Sequence, residues 1–288
     1  MKAMILAAGF GTRLRPYSLL RPKPLFPVLD LPLILRHIAQ LREAGCDAIL
    51  VNCHHLREQI VDLLAGLDGI FLQQEPIELG TGGGMRMARD FFGSEPVLVI
   101  NGDIFHTIDL ARVYQEHCSS GADATLVLHD CPRFNNVSVD DKLDITAFGA
   151  GGSARKMAFT GIHVLDPNLL SVITPGIFYN IIDCYRYWIA RGKKIRAHVV
   201  HDHFWTDMGT PEDYLDLHRV LLTREPFKGA SPFYYGSGVA IPADLQSRDW
   251  LCVGAGARIG RHCRLSRVVV WNGAQVPDGT ILEDVIVV

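Results

Sequence analysis

The stretch MKAMILAAGFGTRLRPYSLLRPKPLFPVLD, residues 1–30, joins a short apolar run to a turn rich in glycine, arginine and proline. The apolar run at residues 4–8 predicts a buried strand that ends in this turn. Gly9 and Gly11 leave backbone N–H groups of the turn open to an anion, because glycine has no Cβ to block the approach. Arginine and lysine can each hold a phosphate, and those that follow are Arg13, Arg15, Arg21 and Lys23. The stretch therefore predicts a triphosphate site.

Two common phosphate-binding motifs do not fit this turn. A P-loop needs the pattern GxxxxGK[ST], which does not occur in the sequence. The dinucleotide pattern GxGxxG would need a third glycine where the chain has Leu14, and Asp30 precedes the predicted second strand instead of closing it. A surface loop rich in arginine and proline, without a ligand, is the alternative that these residues leave open.

The segment LAAGFGTRLRPYSLLRPKPLFPV, residues 6–28, resembles the signature of the sugar-1-phosphate nucleotidyltransferases, the NDP-sugar pyrophosphorylases. It departs from that signature at Ser18, where the family usually has threonine and the hydroxyl is kept. The resemblance implies an enzyme that makes an NDP-sugar and pyrophosphate from a nucleoside triphosphate and a sugar 1-phosphate, with Mg²⁺. It implies that Arg13 grips the departing pyrophosphate and that Lys23 holds the α-phosphate and the sugar phosphate. Residues assigned to nucleotide binding here are Ala8, Gly9, Gly11 and Thr12.

The composition argues against several classes of protein. A net charge of −3 and the lack of a long basic run give no support for a nucleic-acid partner. The apolar stretches are far shorter than the roughly 20 residues that a membrane span needs. Met1 leads straight into the first strand, so we expect no secretory signal. Seven cysteines without a CxxC pair predict free thiols, a reducing cytoplasm and no structural zinc.

Strands and helices alternate along most of the chain, which with 288 residues and 48% hydrophobic content can bury a large core. Strands joined by helices of this length run parallel with right-handed crossovers. The sequence predicts an α/β fold, an open, mostly parallel, Rossmann-like sheet flanked by helices, with ligands beyond the carboxyl ends of the strands. Strands are predicted at 4–8, 48–52, 70–72, 96–100, 124–128, 159–165 and 195–200. Helices are predicted at 32–44, 56–64, 85–92, 109–117, 177–190 and 212–222.

A second glycine-rich loop, QQEPIELGTGGG at residues 73–84, precedes a predicted helix. Glycines before a helix N-terminus let the backbone close on a flat or anionic ligand. The family reads the nucleobase here, so the resemblance assigns Glu75, Gly80 and Thr81 to substrate binding. A flexible lid without direct contact is the alternative for Glu75. The loop is similar both to the TGGG form of N-acetylmuramate-1-phosphate uridylyltransferases and to the LGTAG of mannose-1-phosphate guanylyltransferases, so the base stays open.

Two aspartates are candidate Mg²⁺ ligands. Asp103 follows a predicted strand in Asn101-Gly102-Asp103, and Mg²⁺ is commonly held by one or two carboxylates together with phosphate oxygens. The family places a metal-binding aspartate at this point, whereas a turn residue is the alternative. Trp205-Thr206-Asp207-Met208-Gly209-Thr210 is similar to the W-x-D-x-GT motif of the family, whose aspartate is the second Mg²⁺ ligand. The resemblance therefore pairs Asp207 with Asp103 and assigns Asn101 to the substrate.

The sugar side of the site is less well marked. Thr160 and Gly161 resemble the strand of the family on which the sugar lies. The EKP motif of many members, whose acid and lysine meet the sugar phosphate, is not present in the polar segment 129–156. Arg155 or Lys156 could supply the cation, with a solvated hairpin charge as the alternative. His201 and His203 could ligate a metal, but no third ligand lies at zinc spacing, which favours an exposed strand end.

The pattern changes after residue 225. Prolines and glycines predict a linker at 226–250, after a catalytic domain at 1–225. Val253, Ile259 and Leu265 then recur every six residues, and Trp271, Val276 and Leu282 roughly continue this period. The pattern resembles the hexapeptide repeats of a left-handed β-helix at 251–288. About two coils fit, and so short a stack is expected to pack on the catalytic domain or in a homo-oligomer.

The sequence as a whole predicts a cytoplasmic uridylyl- or guanylyltransferase of N-acetylmuramate-1-phosphate or mannose-1-phosphate type, serving cell envelope polysaccharides. The phosphate nucleophile is already anionic, so positioning and charge neutralisation should suffice. Two alternatives remain open. One is a catalytically weak regulatory subunit of the same fold that senses nucleotide or NDP-sugar. The other is an acyltransferase built on the C-terminal repeats, for which two coils are too few.

Overall fold

The structure is a computed structural model, and it describes residues 1–149 and 155–288. The described residues divide into two compact units. The first, here called the sheet unit, comprises Met1–Phe10 and His37–Trp205; the second, the coil unit, comprises Gly11–Arg36 and Thr206–Val288. No helix in these residues is long and apolar enough to cross a membrane. The predicted boundaries at 225 and 250 stay a prediction.

The strands are β1 (Lys2–Leu6), β2 (Pro27–Val28), β3 (Leu31–Pro32), β4 (Ala48–Cys53), β5 (Ile70–Gln74), β6 (Val97–Asn101), β7 (Ile104–His106), β8 (Ala124–His129), β9 (Val137–Val139), β10 (Ile145–Phe148), β11 (Arg155–Leu165), β12 (Ile195–Val199), β13 (Trp205–Asp207), β14 (Phe233–Tyr235), β15 (Gln246–Val253), β16 (Arg258–Ile259), β17 (Arg264–Val270), β18 (Gln275–Val276) and β19 (Ile281–Val287). The helices are α1 (Leu33–Glu43), α2 (Arg57–Leu64), α3 (Gly80–Met87), α4 (Arg89–Phe92), α5 (Leu110–Ser120), α6 (Ile181–Ile189) and α7 (Pro211–Thr223). Short 3₁₀ turns occupy Thr12–Leu14, Tyr17–Leu19, Lys23–Leu25 and Pro167–Val172.

The sheet unit is built around β1, whose middle residues are completely buried. β1 pairs in parallel with β4 on one side and with β6 on the other, and β5 continues the sheet beyond β4. β11 runs antiparallel to both β6 and β8, and β12 pairs in parallel with β8. The predicted α/β, mostly parallel sheet is confirmed, with β11 running antiparallel to the strands named here. Because β6, β1, β4 and β5 are parallel, their carboxyl ends form one edge of the sheet.

The polar segment 129–156 contains β9, β10 and the start of β11. β9 pairs antiparallel with β10 and with β11. Val137, Val139 and Ile145 are buried in the core of the unit. The apolar residues alternate over too few positions to stand out from the polar residues around them. Burial in the tertiary structure therefore determines where these strands form. Residues 150–154 lie outside the described part of the chain.

The glycines of the second glycine-rich segment lie within a helix. The predicted start at residue 85 is wrong, because the helix begins five residues earlier. α3 begins at Gly80, although each glycine costs a helix about 1 kcal/mol relative to alanine. A Cβ on Gly82 would lie 3.0 Å from the carbonyl oxygen of Tyr179, and one on Gly83 would lie 2.7 Å from that of Ile177. The carbonyl of Tyr179 also accepts hydrogen bonds from both glycine N–H groups. Close backbone packing therefore outweighs the low helix propensity of these residues.

The coil unit contains a stack of parallel strands in the order β14, β15, β17, β19, with β16 and β18 paired in parallel beside it. Partners in neighbouring rungs lie about eighteen residues apart, as in the pairing of Gln246 with Arg264, which corresponds to three six-residue sides per coil. The predicted short β-helix segment is confirmed as a parallel stack, and its left-handed sense stays a prediction. The first strand, β14, lies within the segment 226–250, and its Phe233 pairs with Leu251.

An aromatic cluster joins the proline-rich part of residues 11–36 to the C-terminal coils within the coil unit. The ring of Phe26 lies 4.8 Å from that of Trp271 and 5.7 Å from that of Tyr214 on α7. Trp271 Nε1 donates to the Tyr214 hydroxyl at 3.1 Å, and that hydroxyl donates to the carbonyl of Pro27. Tyr214 and Phe26 are completely buried, so this hydroxyl satisfies two buried polar groups at once.

Replacing Tyr214 by phenylalanine should therefore lower the free energy of unfolding by about 1–3 kcal/mol, because Trp271 Nε1 and the Pro27 carbonyl lose their shared partner. Urea denaturation followed by tryptophan fluorescence measures the change. Tyr187→Phe, on a partly exposed ring of α6, is the control and should change stability by much less. Equal stability of the Tyr214→Phe variant and the wild type would contradict the role given to this hydroxyl.

Candidate active site

The carboxyl edge of the sheet carries most of the predicted site residues of the sheet unit. Ala8 and Gly9 follow β1, and Asp103 follows β6, of which Asn101 is the last residue. Gly102 N donates to the carbonyl of Leu6 at 2.8 Å, which joins the ends of these two strands. Ligands of open α/β sheets lie beyond the carboxyl ends of the strands. The expected ligand position is therefore at this edge.

In the coil unit, Gly11 starts the cation-rich part of the signature. Its φ of 61° is left-handed, which favours glycine, and it caps the 3₁₀ turn Thr12–Leu14. Leu14 is completely buried and anchors this turn, while the Arg13 side chain is 59% exposed. Lys23 begins a second 3₁₀ turn, and its side chain is buried. The two predicted catalytic cations therefore differ in environment.

The carboxylate of Asp207 lies between these two cations. Its Oδ1 is 3.2 Å from Lys23 Nζ, and its Oδ2 is 3.4 Å from Arg13 Nη2. The Asp207 side chain is only 16% exposed, so water screens these pairs less than it would on an open surface. The structure brings together three residues that were predicted from two separate motifs.

Gly209 explains why the second motif needs its glycine. A Cβ at this position would lie 2.7 Å from Asp207 Oδ2 and 2.8 Å from Arg13 Nη1, closer than real Cβ atoms come. The glycine thus leaves the space in which the aspartate and the arginine meet. Thr210, the next residue, caps α7 by accepting a hydrogen bond from Asp213 N at 3.2 Å.

Asp103 and Asp207 are the two predicted Mg²⁺ ligands. In residues 1–149 and 155–288, no group of three or more His, Cys, Asp and Glu side chains could hold a metal ion. Mg²⁺ does not require such a cage, since it is commonly bound by one or two carboxylates, waters and phosphate oxygens. Asp103 belongs to the sheet unit and Asp207 to the coil unit, and their pairing around a metal stays a prediction.

The structure brings together the residues predicted for the sugar side. A Cβ on Gly161 would lie 2.7 Å from Asn101 Nδ2, so the absence of a side chain lets the asparagine lie against β11. Trp205 Nε1 donates to the carbonyl of Thr160 at 2.8 Å, and the Thr160 hydroxyl donates to the carbonyl of Val127. The pairing of β11 with β8 is irregular at this point. Contact of these residues with a sugar stays a prediction.

His203 pairs with His129, a residue that the sequence analysis did not single out. His129 Nδ1 lies 3.1 Å from His203 Nε2, and the His129 ring packs edge-on against Trp205. Burial lowers the pKa of His129 to about 4 and also lowers the pKa of His203, so both imidazoles are neutral at neutral pH. Nothing in the sequence links two histidines so far apart, and only the parallel pairing of β8 with β12 does so.

Glu75 is completely buried. Its Oε1 accepts from Asn52 Nδ2 at 2.7 Å and from Gln73 Nε2 at 3.4 Å, and its Oε2 accepts from Leu79 N at 3.3 Å. Burial raises the pKa of Glu75, and these hydrogen bonds oppose the rise. The prediction that Glu75 contacts the base stays a prediction.

The remaining predicted residues of the sheet unit are Gly80, Thr81, Arg155 and Lys156. Gly80 is the first residue of α3. The hydroxyl of Thr81 accepts a hydrogen bond from Ile181 N at 3.0 Å, which ties α3 to the start of α6. Arg155 is exposed and Lys156 is half-buried at the start of β11. The source of the cation for the sugar phosphate stays a prediction.

A family model described as nucleotidyl transferase matches residues 2–224, which is well over half of the chain. This chain belongs to the nucleotidyl transferase family. A mannose-1-phosphate guanylyltransferase of Mycobacterium tuberculosis is 28% identical over 296 residues, which cover 98% of this chain and 82% of the relative. An N-acetylmuramate alpha-1-phosphate uridylyltransferase of Neisseria meningitidis is 32% identical over 229 residues, covering 73% of this chain and 94% of the relative.

A crystal structure described as a glucose-1-phosphate thymidylyltransferase from Bacillus anthracis shares the fold of this nucleotidyl transferase. Its TM-score is 0.68 at 22% sequence identity, and the match covers 80% of this chain and 97% of that one. The similarity supports the α/β architecture described above. At this level of identity it carries no information about the substrate.

The close approach at Gly209 leads to a prediction for this nucleotidyl transferase. Gly209→Ala should lower the rate of nucleotidyl transfer by about 100-fold, because the new methyl group would push the Asp207 carboxylate and the Arg13 guanidinium apart. Steady-state kinetics measure the rate. Gly229→Ala is the matched control, since nothing lies within 4 Å of a Cβ at that position. A Gly209→Ala variant as active as the control would show that this contact is not needed.

Proposed function

We propose that the protein transfers a nucleotidyl group from a nucleoside triphosphate to a sugar 1-phosphate, forming an NDP-sugar and releasing pyrophosphate. A phosphate oxygen of the sugar 1-phosphate attacks the α-phosphorus, and the bond from that phosphorus to the oxygen bridging to the β-phosphate breaks. The observation that carries the proposal is the cluster of Asp207 with Arg13 and Lys23, in a chain that belongs to the nucleotidyl transferase family.

The chemistry asks for positive charge and positioning more than for a base. The attacking phosphate oxygen is anionic at neutral pH, so no residue has to remove a proton from it. Negative charge grows on the pyrophosphate as it leaves, and cations in fixed positions stabilise that charge. We assign the pyrophosphate to Arg13, whose exposed guanidinium can form two parallel hydrogen bonds with it. We assign the α-phosphate and the sugar phosphate to Lys23, whose buried ammonium acts as a fixed point charge.

Asp207 prepares these cations for the substrate. Its carboxylate offsets part of their charge and orients both side chains. The phosphates of the substrate are stronger anions and bind the same donors. We propose that Asp207 then joins Asp103 in holding Mg²⁺, which when bound would draw charge from the α-phosphate oxygens.

The relatives named above narrow the choice of nucleobase and of sugar. We propose uridylyl or guanylyl transfer to N-acetylmuramate 1-phosphate or mannose 1-phosphate, in the synthesis of cell envelope polysaccharides. The residues we place around the substrates are Ala8, Gly9, Gly11, Thr12, Gly80, Thr81, Asn101, Thr160 and Gly161. The seven cysteines are free thiols, which supports the cytoplasm as the compartment. A homo-oligomer formed through the C-terminal coils stays a prediction.

Release of pyrophosphate from a panel of nucleoside triphosphates, each with a panel of sugar 1-phosphates, tests the activity. We expect turnover with UTP or GTP that depends on Mg²⁺ and on one of the two sugar phosphates named above. Saturable nucleotide binding without pyrophosphate release for any pair would favour the regulatory alternative. Turnover of acetyl-CoA would favour the acyltransferase alternative.

Arg13→Ala and Asp103→Ala should each lower pyrophosphate release by about 100-fold or more, because the first removes a cation that stabilises the departing pyrophosphate and the second removes a proposed ligand of Mg²⁺. Circular dichroism should show an unchanged fold. Arg112→Ala is the matched control, since Arg112 is a surface residue on α5 paired with Glu116, and it should retain activity. Near-normal release by the purified Arg13→Ala or Asp103→Ala variant would refute the role of that residue.

A further inference from the structure

Asn52 links the carboxylate of Glu75 to the signature turn. Its Nδ2 donates to Glu75 Oε1 at 2.7 Å, and its Oδ1 accepts from Ala7 N at 2.8 Å. Turned over, the amide would present its NH₂ to the N–H of Ala7 and its oxygen to the carboxylate, and both contacts would be repulsive. The N–H of Ala7 and the carboxylate of Glu75 therefore fix the same orientation of the amide. Ala7 lies directly between β1 and the Ala8–Gly9 turn, so its N–H sets where that turn begins.

The same carboxylate reaches the second glycine-rich segment. Glu75 Oε2 accepts from the N–H of Leu79, the residue before α3. Gln73 donates to Glu75 Oε1 and, at 2.9 Å, to the carbonyl of Gly84 within α3. A Cβ on Gly84 would lie 2.6 Å from Glu75 Oε1 and 2.8 Å from Asn52 Nδ2. The end of β1 and the helix α3 are thus both held by one carboxylate.

The chemistry of this group is unusually well defined. Asn52 Nδ2, Gln73 Nε2 and Leu79 N are all donors. An ionised carboxylate is the only ordinary side-chain group of this size that accepts on both atoms, whereas an amide or a protonated acid also donates. Glu75 is also completely buried, so a nucleobase could reach its carboxylate only if the groups that cover it moved.

We infer that Glu75 is a positioning residue which, through Asn52, holds the Ala7–Gly9 turn and the glycine helix α3 in register for nucleotide binding, and that it does not contact the base itself. Any effect of this network on catalysis rests on the proposed function. It differs from the assignment that the family resemblance implies for Glu75, and the two assignments make opposite predictions for a paired exchange.

The exchange is Asn52→Asp together with Glu75→Gln. In Glu75→Gln alone, one end of the new amide is an NH₂ group that must face Asn52 Nδ2 or Leu79 N, and two donors then oppose each other. In N52D/E75Q the carboxylate at position 52 accepts from Ala7 N and from the new amide at position 75. The oxygen of that amide accepts from Leu79 N. The paired variant thus restores the contacts to Ala7 and Leu79, although Gln73 Nε2 loses its acceptor at position 75 and keeps only the carbonyl of Gly84.

Two measurements on the full chain read the result without requiring turnover. Hydrogen exchange reports the protection of the Ala7 amide, and calorimetry reports the affinities for Mg·UTP and Mg·GTP. In E75Q we expect loss of Ala7 protection and nucleotide binding weaker by about tenfold, the factor that corresponds to one buried hydrogen bond. In N52D/E75Q we expect both to return to within about threefold of wild type, with the UTP-to-GTP affinity ratio unchanged, as a coupled pair requires. Glu58→Gln, at a 74% exposed side chain on α2, is the matched control and should behave like wild type.

Three results would overturn the inference. One is equal weakening of nucleotide binding in E75Q and N52D/E75Q with a changed UTP-to-GTP ratio, which would mean that Glu75 contacts the base. Another is an E75Q variant that keeps wild-type affinity and Ala7 protection. The third is failure of N52D/E75Q to fold. If E75Q does not fold but N52D/E75Q folds and binds nucleotide, the result supports the network. A wild-type protein that binds nucleotide but releases no pyrophosphate would refute the proposed function alone, because neither measurement depends on transfer.

Discussion

The ion pairs of Asp207 with Arg13 and Lys23 are the interaction on which the coil unit is organised. The aspartate lies 194 residues from the arginine and 184 from the lysine in the chain. Lys23 is buried, and a buried ammonium is costly unless anionic or polar groups compensate it. The chain therefore has to return to its N-terminal signature to provide a carboxylate there. It does so with a motif whose glycine leaves the space for the contact.

The C-terminal coils give this cluster a rigid support. Phe26, three residues after Lys23, packs against Trp271 and Tyr214, and the Arg21 guanidinium lies 4.6 Å from the centre of the Trp271 ring. Buried aromatic contacts and a shared hydroxyl hold a segment whose prolines would otherwise leave few backbone hydrogen bonds. The short β-helix segment thus contributes to the shape of the signature in its own unit, which gives two coils a structural purpose without any acyl-transfer chemistry.

In the sheet unit the corresponding element is the buried carboxylate of Glu75. Its desolvation raises the pKa of the group, and such a cost is tolerated when hydrogen bonds from several donors compensate it. Those donors belong to β4, β5 and the turn before α3, while Asn52 carries the effect to Ala7. Both units therefore use one carboxylate to orient groups around a predicted phosphate or nucleotide position. In one unit the carboxylate is paired with cations, and in the other it is surrounded by neutral donors.

The sequence by itself determined the fold class and the family, and it predicted the members of the candidate site. Strand–helix alternation indicated the parallel sheet, and the resemblance of two short motifs to those of a known family predicted the roles of Arg13, Lys23 and Asp207. The six-residue period likewise indicated the coils. What tertiary structure decided are the features that depend on a distant neighbour. Gly80–Met87 is helical because glycines there pack against the backbone of 177–181, and His129 meets His203 because β8 pairs with β12. Glu75 is surrounded by donors from three separate segments. Local propensity describes a residue and its near neighbours in the chain, whereas close packing and buried hydrogen bonds depend on groups that only folding brings together.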